Sequence, residues 1–390
     1  MSSGLKNYAV VVVGAGPAGL AVVGNLLEQQ VRRILWVDTH FQGGRVNRAY
    51  REVPSNTKAS LFVSFVEAVK PFRDVIQAKP GPNAISDLKK LEGEKGCLLK
   101  HAADACLMLS KGIGESPDVD TQLGRVKSAN WENESLKWIV QIQDPASNPI
   151  KVSSPRLVLC TGSSPVEHPL PVPNLNIQRI HLDTALTPSV LVSSIPTNNP
   201  VTVAVIGASH SAVLILHNLF NLATSTHPQL RIKWFFRNPL EYAEYMDGWI
   251  LRDNTGLKGL AADWARENLE EDKFSSSPVS KYIQKIDSKI DEKALYERHL
   301  PLCTHLVQAI GFKRDPIPTM YSDGKELNVV YNPTTGGFAN NKGKKVPGLY
   351  GAGIAWPELV VDPMGNVEYA IGFWKFMKYL KRVVTNWVSE

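Results

Sequence analysis

Three glycines near the start of the sequence constrain the fold more than any other feature. They follow an apolar run at 9–13 as Gly14-Ala-Gly16-Pro-Ala-Gly19, with the spacing G-x-G-x-x-G. The run predicts a buried strand over 10–13, and the glycines predict a tight turn into a helix over 17–29. In such a turn the first glycine permits the bend, the second lets the backbone approach a phosphate, and the third lets the helix pack close to the strand.

The next predicted strand supports a nucleotide-binding role for this turn. The predicted strand over 33–37 ends in Asp38, and a carboxylate at that position can accept a hydrogen bond from a ribose hydroxyl. Strand, glycines, helix, second strand and terminal acid therefore occur in the order of a dinucleotide-binding βαβ unit, with Pro17 and Ala18 inside its phosphate-binding turn. A βαβ turn that binds no phosphate is the weaker alternative.

A second βαβ pattern occupies 201–236. The loop between its first strand and its helix contains Gly207, Ser209, His210, Ser211 and Ala212. Ser209 and Ala212 replace the second and third glycines, and both are small enough for the same geometry. The second strand of this unit ends in Arg237 instead of an acid, which favours the 2′-phosphate of NADP. A solvated surface arginine is the alternative.

Small residues also stand where other predicted strands end, which is where a nucleotide crosses a parallel sheet. Paired glycines follow the first unit, and two later strands end in similar steps. The further candidates are the small residues Gly43, Gly44, Thr161, Gly162 and Gly353, together with the adjoining Arg45 and Ile354. For the glycine pair, a plain turn is an equally good interpretation from the residues alone. Between these segments, 123–159 has the alternation of an antiparallel meander.

Charge and cysteine content exclude several classes. The 43 basic and 37 acidic residues are interspersed, so the net charge of +6 does not indicate a nucleic-acid-binding protein. Four cysteines without C-x-x-C or metal-ligand spacing fit a reducing compartment and predict no metal site. No apolar stretch reaches eighteen residues, and the first strand starts within ten residues of Met1. We therefore expect a cytoplasmic protein without membrane association.

The order of these motifs resembles the two-dinucleotide-binding-domain flavoprotein superfamily, which includes the pyridine nucleotide-disulfide oxidoreductase-like proteins. The resemblance implies an α/β fold of two Rossmann-like three-layer domains, the second inserted in the first. It implies an FAD-binding domain at 1–165 and 301–390 and an NAD(P)-binding domain at 166–300. The residues that would hold FAD are Gly14, Gly16, Gly19 and Asp38. Those that would hold NADPH are Gly207, Ser209, Ala212 and Arg237.

Within that superfamily the sequence is most similar to the flavin-containing and N-hydroxylating monooxygenases. Disulfide reductases carry a cysteine pair that this chain lacks, whereas Gly43-Gly44 and the segment 55–58 look like monooxygenase elements. The resemblance places Asn56 beside the flavin as the candidate catalytic residue. It also places the start of a C-terminal helix over 367–388, with the amides of Asn366 and Val367, at the flavin pyrimidine.

Three positions depart from that pattern. The linker fingerprint before the second unit keeps His181 but has Leu175 and Ile177 in place of phenylalanine and glycine, and Ile354 replaces an acid near the C-terminus. The resemblance implies an NADPH-using, FAD-dependent monooxygenase that uses O2 to hydroxylate a small nitrogen- or sulfur-containing substrate. A flavin-dependent reductase, dehydrogenase or oxidase without oxygen insertion, or a catalytically silent FAD-binding interaction protein, are the alternatives. The oligomeric state stays open between a monomer and a homo-oligomer.

Overall fold

A seven-stranded sheet forms the centre of the first domain. The computed structural model of the chain describes residues 5–144, 148–173 and 175–389. The strands of this sheet lie in the order Val329–Tyr331, Gly337–Asn340, Lys345–Gly351, Leu157–Leu159, Val10–Val13, Ile34–Asp38 and Val119–Leu123. The last five pair in parallel. Their near-continuous apolar sequences fit burial on both faces, which a parallel sheet requires.

Helices cover one face of this sheet and a second, mostly antiparallel sheet covers the other. The helices are Pro17–Glu28, Ala59–Val66, Lys70–Ala78, Ala84–Lys89, Leu99–Gly114 and Phe373–Ser389. The covering sheet has the strand order Lys6–Asn7, Ile150–Ser154, Lys137–Gln143, Arg125–Glu132, Thr319–Ser322 and Lys325–Glu326. Two apolar cores result, one on each side of the central strands. This is the three-layer arrangement that the sequence predicts.

The second domain repeats the parallel sheet on a smaller scale. Its five strands lie in the order Gln178–Arg179, His305–Gln308, Val201–Ile206, Leu230–Phe236 and Ile283–Asp287. Its helices are Leu182–Ala185, Pro188–Ser194, His210–Ser225, Gly259–Asn268, Glu271–Phe274 and Glu292–His299, with 3-10 turns at Pro278–Lys281 and Leu300–Leu302. They leave one core on each face of the sheet. Both predicted βαβ units are confirmed.

Short elements connect and decorate the two domains. They are the helix Arg45–Ala49 and the strand pairs Pro54–Lys58 with Gly96–Leu98, Ser163–Pro165 with Phe312–Arg314, Glu244–Tyr245 with Ile250–Leu251, and Glu358–Val361 with Val367–Ala370. The last pair is called the C-terminal hairpin below, and Phe373–Ser389 the C-terminal helix. Among the described helices, none combines the length and the apolar sequence needed to cross a bilayer.

The predicted helix over 367–388 is wrong at its start. Val367 begins a strand that pairs with Glu358–Val361, and Asn366 lies in the turn between the two strands, where its backbone N–H and side-chain amide donate to the Asp362 carboxylate. Gly365 in this turn has a φ of +87°, which glycine tolerates best. The helix begins only at Phe373. Asn366 and Val367 therefore do not form a helix N-terminus.

The pairing of one strand bears on the domain boundaries. His305–Gln308 was expected in the first domain, within 301–390, but its residues pair with those of Val201–Ile206 in the second sheet. The chain then passes into Phe312–Arg314, which pairs with Ser163–Pro165. We propose that these two antiparallel strands connect the domains, so that the second domain extends from about 166 to about 311.

A charged network fastens the two domains together near Gly43 and Gly44. The Arg45 guanidinium pairs with Asp183 of the second domain and donates to the Ser164 hydroxyl at 2.8 Å. The Tyr50 hydroxyl donates to the other oxygen of Asp183 at 2.9 Å. Only 28% of the Arg45 and 19% of the Asp183 side chain is exposed. Arg45 is thus engaged by protein, and it positions the glycine pair that precedes it.

We expect Arg45→Met to lower the free energy of unfolding by about 2 kcal/mol, because the partly desolvated Asp183 carboxylate would lose its cation. This value lies between those for breaking an exposed ion pair and a fully buried one. Urea unfolding measures the change. Lys90→Met is the matched control, since its pair with Asp87 is exposed and worth less than about 1 kcal/mol. Equal losses in both variants would contradict a special role for Arg45.

Candidate active site

Two glycines of the first loop, Gly14 and Gly19, are required by the protein's own packing. Gly14 has a φ of +107°, and a Cβ there would lie 2.3 Å from the carbonyl oxygen of Cys160. A Cβ on Gly19 would lie 1.8 Å from the carbonyl oxygen of Gly14. The first contact brings the neighbouring strand against the turn, and the second brings the helix Pro17–Glu28 against it. These are the first and third roles predicted from the sequence.

Gly16 differs from the other two because little protein surrounds it. Its φ is −77°, which any residue adopts, and the nearest atom to a Cβ there would be Cα of Gly44 at 3.7 Å. Gly44 and Gly43 have φ values of +71° and +66°, and their backbone passes beside the loop. Packing alone therefore does not explain a glycine at position 16, whereas close approach of a ligand does.

Asp38 is fixed at the end of its strand by backbone donors. One carboxylate oxygen accepts from the N–H of Ala15 at 2.7 Å, and the other accepts from the N–H groups of His40 and Phe41 at 2.7 and 2.9 Å. A carboxylate offers about four acceptor sites, so one more hydroxyl donor can be accommodated. The contact with Ala15 places this acid beside the first loop, as predicted.

The remaining predicted residues of the first site lie at the ends of the neighbouring strands. The Thr161 hydroxyl is buried and has no hydrogen-bond partner within the described residues, and Gly162 follows with a φ of +82°. Gly353 has a φ of +87°, and a Cβ there would lie 2.4 Å from Cβ of Ala18. Ile354 is 38% exposed. All four residues thus lie at the carboxyl edge of the first sheet, next to the glycine loop.

The second loop repeats the first in detail. A Cβ on Gly207 would lie 2.3 Å from the carbonyl oxygen of Ala309, which is also the distance from a Cβ on Gly14 to the carbonyl oxygen of Cys160. In both units a tryptophan of the second strand donates to the first glycine's carbonyl: Trp36 to Gly14 at 2.9 Å and Trp234 to Gly207 at 2.7 Å. The sequence analysis did not predict these two hydrogen bonds. The only sequence signal is position: Trp36 lies two residues before Asp38, and Trp234 lies three residues before Arg237.

A cleft of about 610 Å³ opens at the carboxyl end of the second sheet. Gly207 and Ser209 line it, together with Arg237, whose side chain is 66% exposed. The Arg237 Nε lies 3.9 Å from a carboxylate oxygen of Glu292, which also accepts from the Tyr296 hydroxyl at 2.9 Å. Ser209 precedes the helix His210–Ser225, Ser211 lies in its first turn, and Ala212 is a buried residue of the same turn. The cleft can hold an anionic nucleotide.

His210 begins that helix with a buried ring. Its Nδ1 has no hydrogen-bond partner in the described part of the chain. Burial, together with the nearby Lys258 ammonium, lowers the pKa of His210 to about 4, so the ring is neutral at pH 7.

Asn56 lies on the strand Pro54–Lys58, at the boundary with the second domain. Its side chain is exposed, and its amide oxygen accepts only a long bond from the Thr57 hydroxyl, at 3.3 Å. The neighbouring Lys58 ammonium lies 5.5 Å from the centre of the Tyr245 ring, and a Cβ on Gly259 would lie 3.3 Å from the carbonyl oxygen of Ser55. The Asn56 amide is thus available to a ligand between the domains.

The thiols form no redox pair. All four cysteines are free, and Cys106, Cys160 and Cys303 are buried. Burial raises the pKa of the Cys106 thiol to about 12 and also raises that of the Cys160 thiol. Burial also raises the pKa of the Cys97 and Cys303 thiols, so none of the four is a ready thiolate at neutral pH.

Comparison with known proteins identifies the family. No protein-family model matches the sequence. The monooxygenase AgnR1 from Paecilomyces divaricatus, however, is 57% identical over 387 residues, which cover 98% of this chain and 99% of that protein.

Solved structures with much lower identity share the fold. A mutant flavin monooxygenase from Stenotrophomonas maltophilia has a TM-score of 0.57 at 12% identity and covers 99% of both chains. S-allyl-L-cysteine S-oxygenase from Allium sativum has a TM-score of 0.53 at 15% identity, covering 90% of this chain and 73% of that one. Bacillithiol disulfide reductase from Bacillus cereus has a TM-score of 0.50 at 12% identity, covering 98% and 99%. The chain thus belongs to the oxidoreductase family of the AgnR1 monooxygenase and has the two-domain flavoprotein fold.

Proposed function

We propose that the protein is an FAD-dependent monooxygenase that uses NADPH and O2 to oxygenate a small molecule containing nitrogen or sulfur. The single observation that carries the proposal is the first loop. There Gly16 has no packing reason to be glycine, and the buried Thr161 hydroxyl close by has no partner in the described chain. A bound dinucleotide explains both, and family membership indicates oxygenation.

The residues of the first site fit FAD. The free backbone N–H groups at the start of the helix Pro17–Glu28 could donate to a pyrophosphate, and Pro17 removes only a donor that the helix does not use. Asp38 accepts a ribose hydroxyl, and Gly43 and Gly44 let backbone pass close to the ring system. The Thr161 hydroxyl supplies a further donor or acceptor.

The second site fits NADPH in the same way. Gly207 and Ser209 place the start of the helix His210–Ser225 at the cleft, and Arg237 supplies a cation for the 2′-phosphate. Glu292 weakens that preference because its carboxylate repels a phosphate. The neutral His210 ring, buried with an unused Nδ1, offers an uncharged hydrogen-bonding group at the start of this helix.

Bound FAD would supply the chemistry, accepting a hydride from NADPH and, once reduced, activating O2. The first loop would hold FAD and the second loop NADPH, and the exposed Asn56 amide at the domain boundary would be free to hydrogen-bond a bound ligand. Arg45 and Asp183 fix the distance between the domains. A reductase or oxidase would need the same binding residues, so the product distinguishes them.

An anaerobic stopped-flow experiment tests the proposal. The purified protein should show the visible spectrum of flavin, and NADPH should bleach it. Admission of isotopically labelled oxygen with a thioether or amine substrate should then give product that contains the label. Bleaching without labelled product would indicate a reductase or oxidase, and flavin that no nicotinamide nucleotide reduces would contradict the Arg237 argument.

We expect Asn56→Ala to lower the yield of oxygenated product per NADPH oxidised by about tenfold, as the loss of one hydrogen bond of about 1.4 kcal/mol predicts. Flavin reduction by NADPH should stay within about twofold of the wild type. Asn198→Ala is the matched control, because Asn198 is exposed and accepts from a neighbouring threonine in the same way. An unchanged product yield in Asn56→Ala would remove Asn56 from the catalytic site.

A further inference from the structure

We propose that a second cleft, beside the start of the C-terminal helix, binds a carboxylate of the substrate. The cleft measures about 450 Å³ and lies between this helix, the C-terminal hairpin and residues 253–254 of the second domain. Only the statement that the ligand is the substrate rests on the proposed function. The carboxylate site itself follows from the residues that line the cleft.

Three cations stand on the face of the C-terminal helix that lines this cleft. Lys375, Lys378 and Arg382 are spaced by three and four residues, which places them in one row. The Lys375 ammonium lies 2.8 Å from an Asp253 carboxylate oxygen, and Arg382 pairs with Glu358. Lys378 lies between them, is exposed to the cleft, and has no carboxylate partner in the described structure.

Around the cleft, the described residues leave no carboxylate for Lys378. Asp253 also pairs with Lys258, so one acid serves two lysines. Glu368, on the C-terminal hairpin, accepts instead from the Asn254 amide at 2.9 Å and from the Thr255 hydroxyl at 2.5 Å. Of the charged side chains that line the cleft, three are cations and two are carboxylates, and the cation left without a carboxylate is Lys378. An anionic ligand neutralises it.

The cleft also has an apolar wall for the remainder of the ligand. Val360 and Ala370 line it from the inner face of the C-terminal hairpin, and Ala370 is only 6% exposed. A molecule with its carboxylate on Lys378 can lay its carbon skeleton on these two side chains. A small organic acid fits this arrangement better than inorganic phosphate does, since phosphate offers nothing to the apolar wall.

The cleft adjoins the elements that would hold the reacting groups. Lys375 is the third residue of the C-terminal helix, and the loop that carries Asp253 continues into Gly259, which packs on Ser55 next to Asn56. The same loop thus contacts both the cleft and the strand of the candidate catalytic residue. A carboxylate on Lys378 would orient the substrate at the domain boundary, which makes Lys378 a binding residue.

Calorimetric titration of the flavin-loaded protein without NADPH tests the inference. The probes are (phenylthio)acetate, which is a thioether with a carboxylate, and its neutral methyl ester. We expect the wild type to bind the acid about tenfold more tightly than the ester, as one charge-assisted hydrogen bond predicts. Lys378→Met should abolish this preference, and Lys378→Arg should retain it. Lys381→Met is the matched control, because that lysine donates to the Ala68 carbonyl outside the cleft.

The outcomes separate this inference from the proposed function. If the wild type binds both probes equally or binds neither, or if Lys378→Met keeps the preference for the acid, the inference is wrong. These binding results do not depend on turnover. If NADPH fails to bleach the flavin but the acid preference still depends on Lys378, the monooxygenase proposal fails while the carboxylate site stands.

Discussion

Gly16→Ala is expected to produce a folded protein that has lost most of its flavin. The φ of Gly16 suits alanine, and a methyl group there would meet only Gly44, in ordinary contact at 3.7 Å. The free energy of unfolding of the flavin-free protein should therefore change by less than about 0.5 kcal/mol. A pyrophosphate on this loop would, however, meet the new methyl group, so we expect FAD affinity to fall by at least about tenfold. The ratio of visible to ultraviolet absorbance after purification measures this loss.

Gly19→Ala is the paired control, because it should lower the stability of the protein itself, with or without bound FAD. Its methyl group would lie 1.8 Å from the Gly14 carbonyl oxygen, so the helix would have to move away from the strand. Overpacking of this kind costs up to about 3 kcal/mol of stability whether or not FAD is present. If Gly16→Ala retains full flavin, the pyrophosphate does not cross this loop and the assignment of the first site is wrong.

The parts of the fold that the sequence predicts well are those with strong local patterns. The strand Val10–Val13, the helix Pro17–Glu28 and the second unit from Val201 to Phe236 follow from apolar runs broken by small residues. Such signals are contained in a short stretch of chain. They also locate most of the first site, because glycines at strand ends are needed wherever backbone and ligand meet.

The parts that the sequence does not predict depend on distant partners. Val367–Ala370 reads as the start of an amphipathic helix, yet it becomes a strand because Glu358–Val361 lies opposite it and Gly365 makes the turn. Arg45 is a candidate cofactor residue beside two glycines, and its ion pair with Asp183, far along the chain, cannot be read from the sequence. The unmatched charge on Lys378 is likewise visible only after its neighbours have been paired in space.

Arg237→Ala should reduce the preference for NADPH over NADH. The guanidinium stands at the end of its strand, two-thirds exposed, and a charge-assisted bond from it to a 2′-phosphate is worth about 1.5 kcal/mol, or about tenfold in KM. KM for NADPH should rise by that factor, while KM for NADH, which lacks the phosphate, should not change. Steady-state oxidation of each nucleotide by the flavin-loaded enzyme measures both. Arg231→Ala is the control, since this arginine lies at the opposite end of the same strand and stacks on Tyr282.

Glu292→Gln should change KM for NADPH in the direction opposite to Arg237→Ala. The carboxylate lies 3.9 Å from the Arg237 Nε and would repel a phosphate bound there, whereas glutamine keeps an oxygen that can accept from Tyr296. KM for NADPH should therefore fall in this variant, and the fall should disappear when Arg237 is also replaced, because the two residues act on the same phosphate. Equal effects of Glu292→Gln on NADPH and NADH would show that this end of the cleft does not hold the 2′-phosphate, and the nucleotide would then lie in the other orientation.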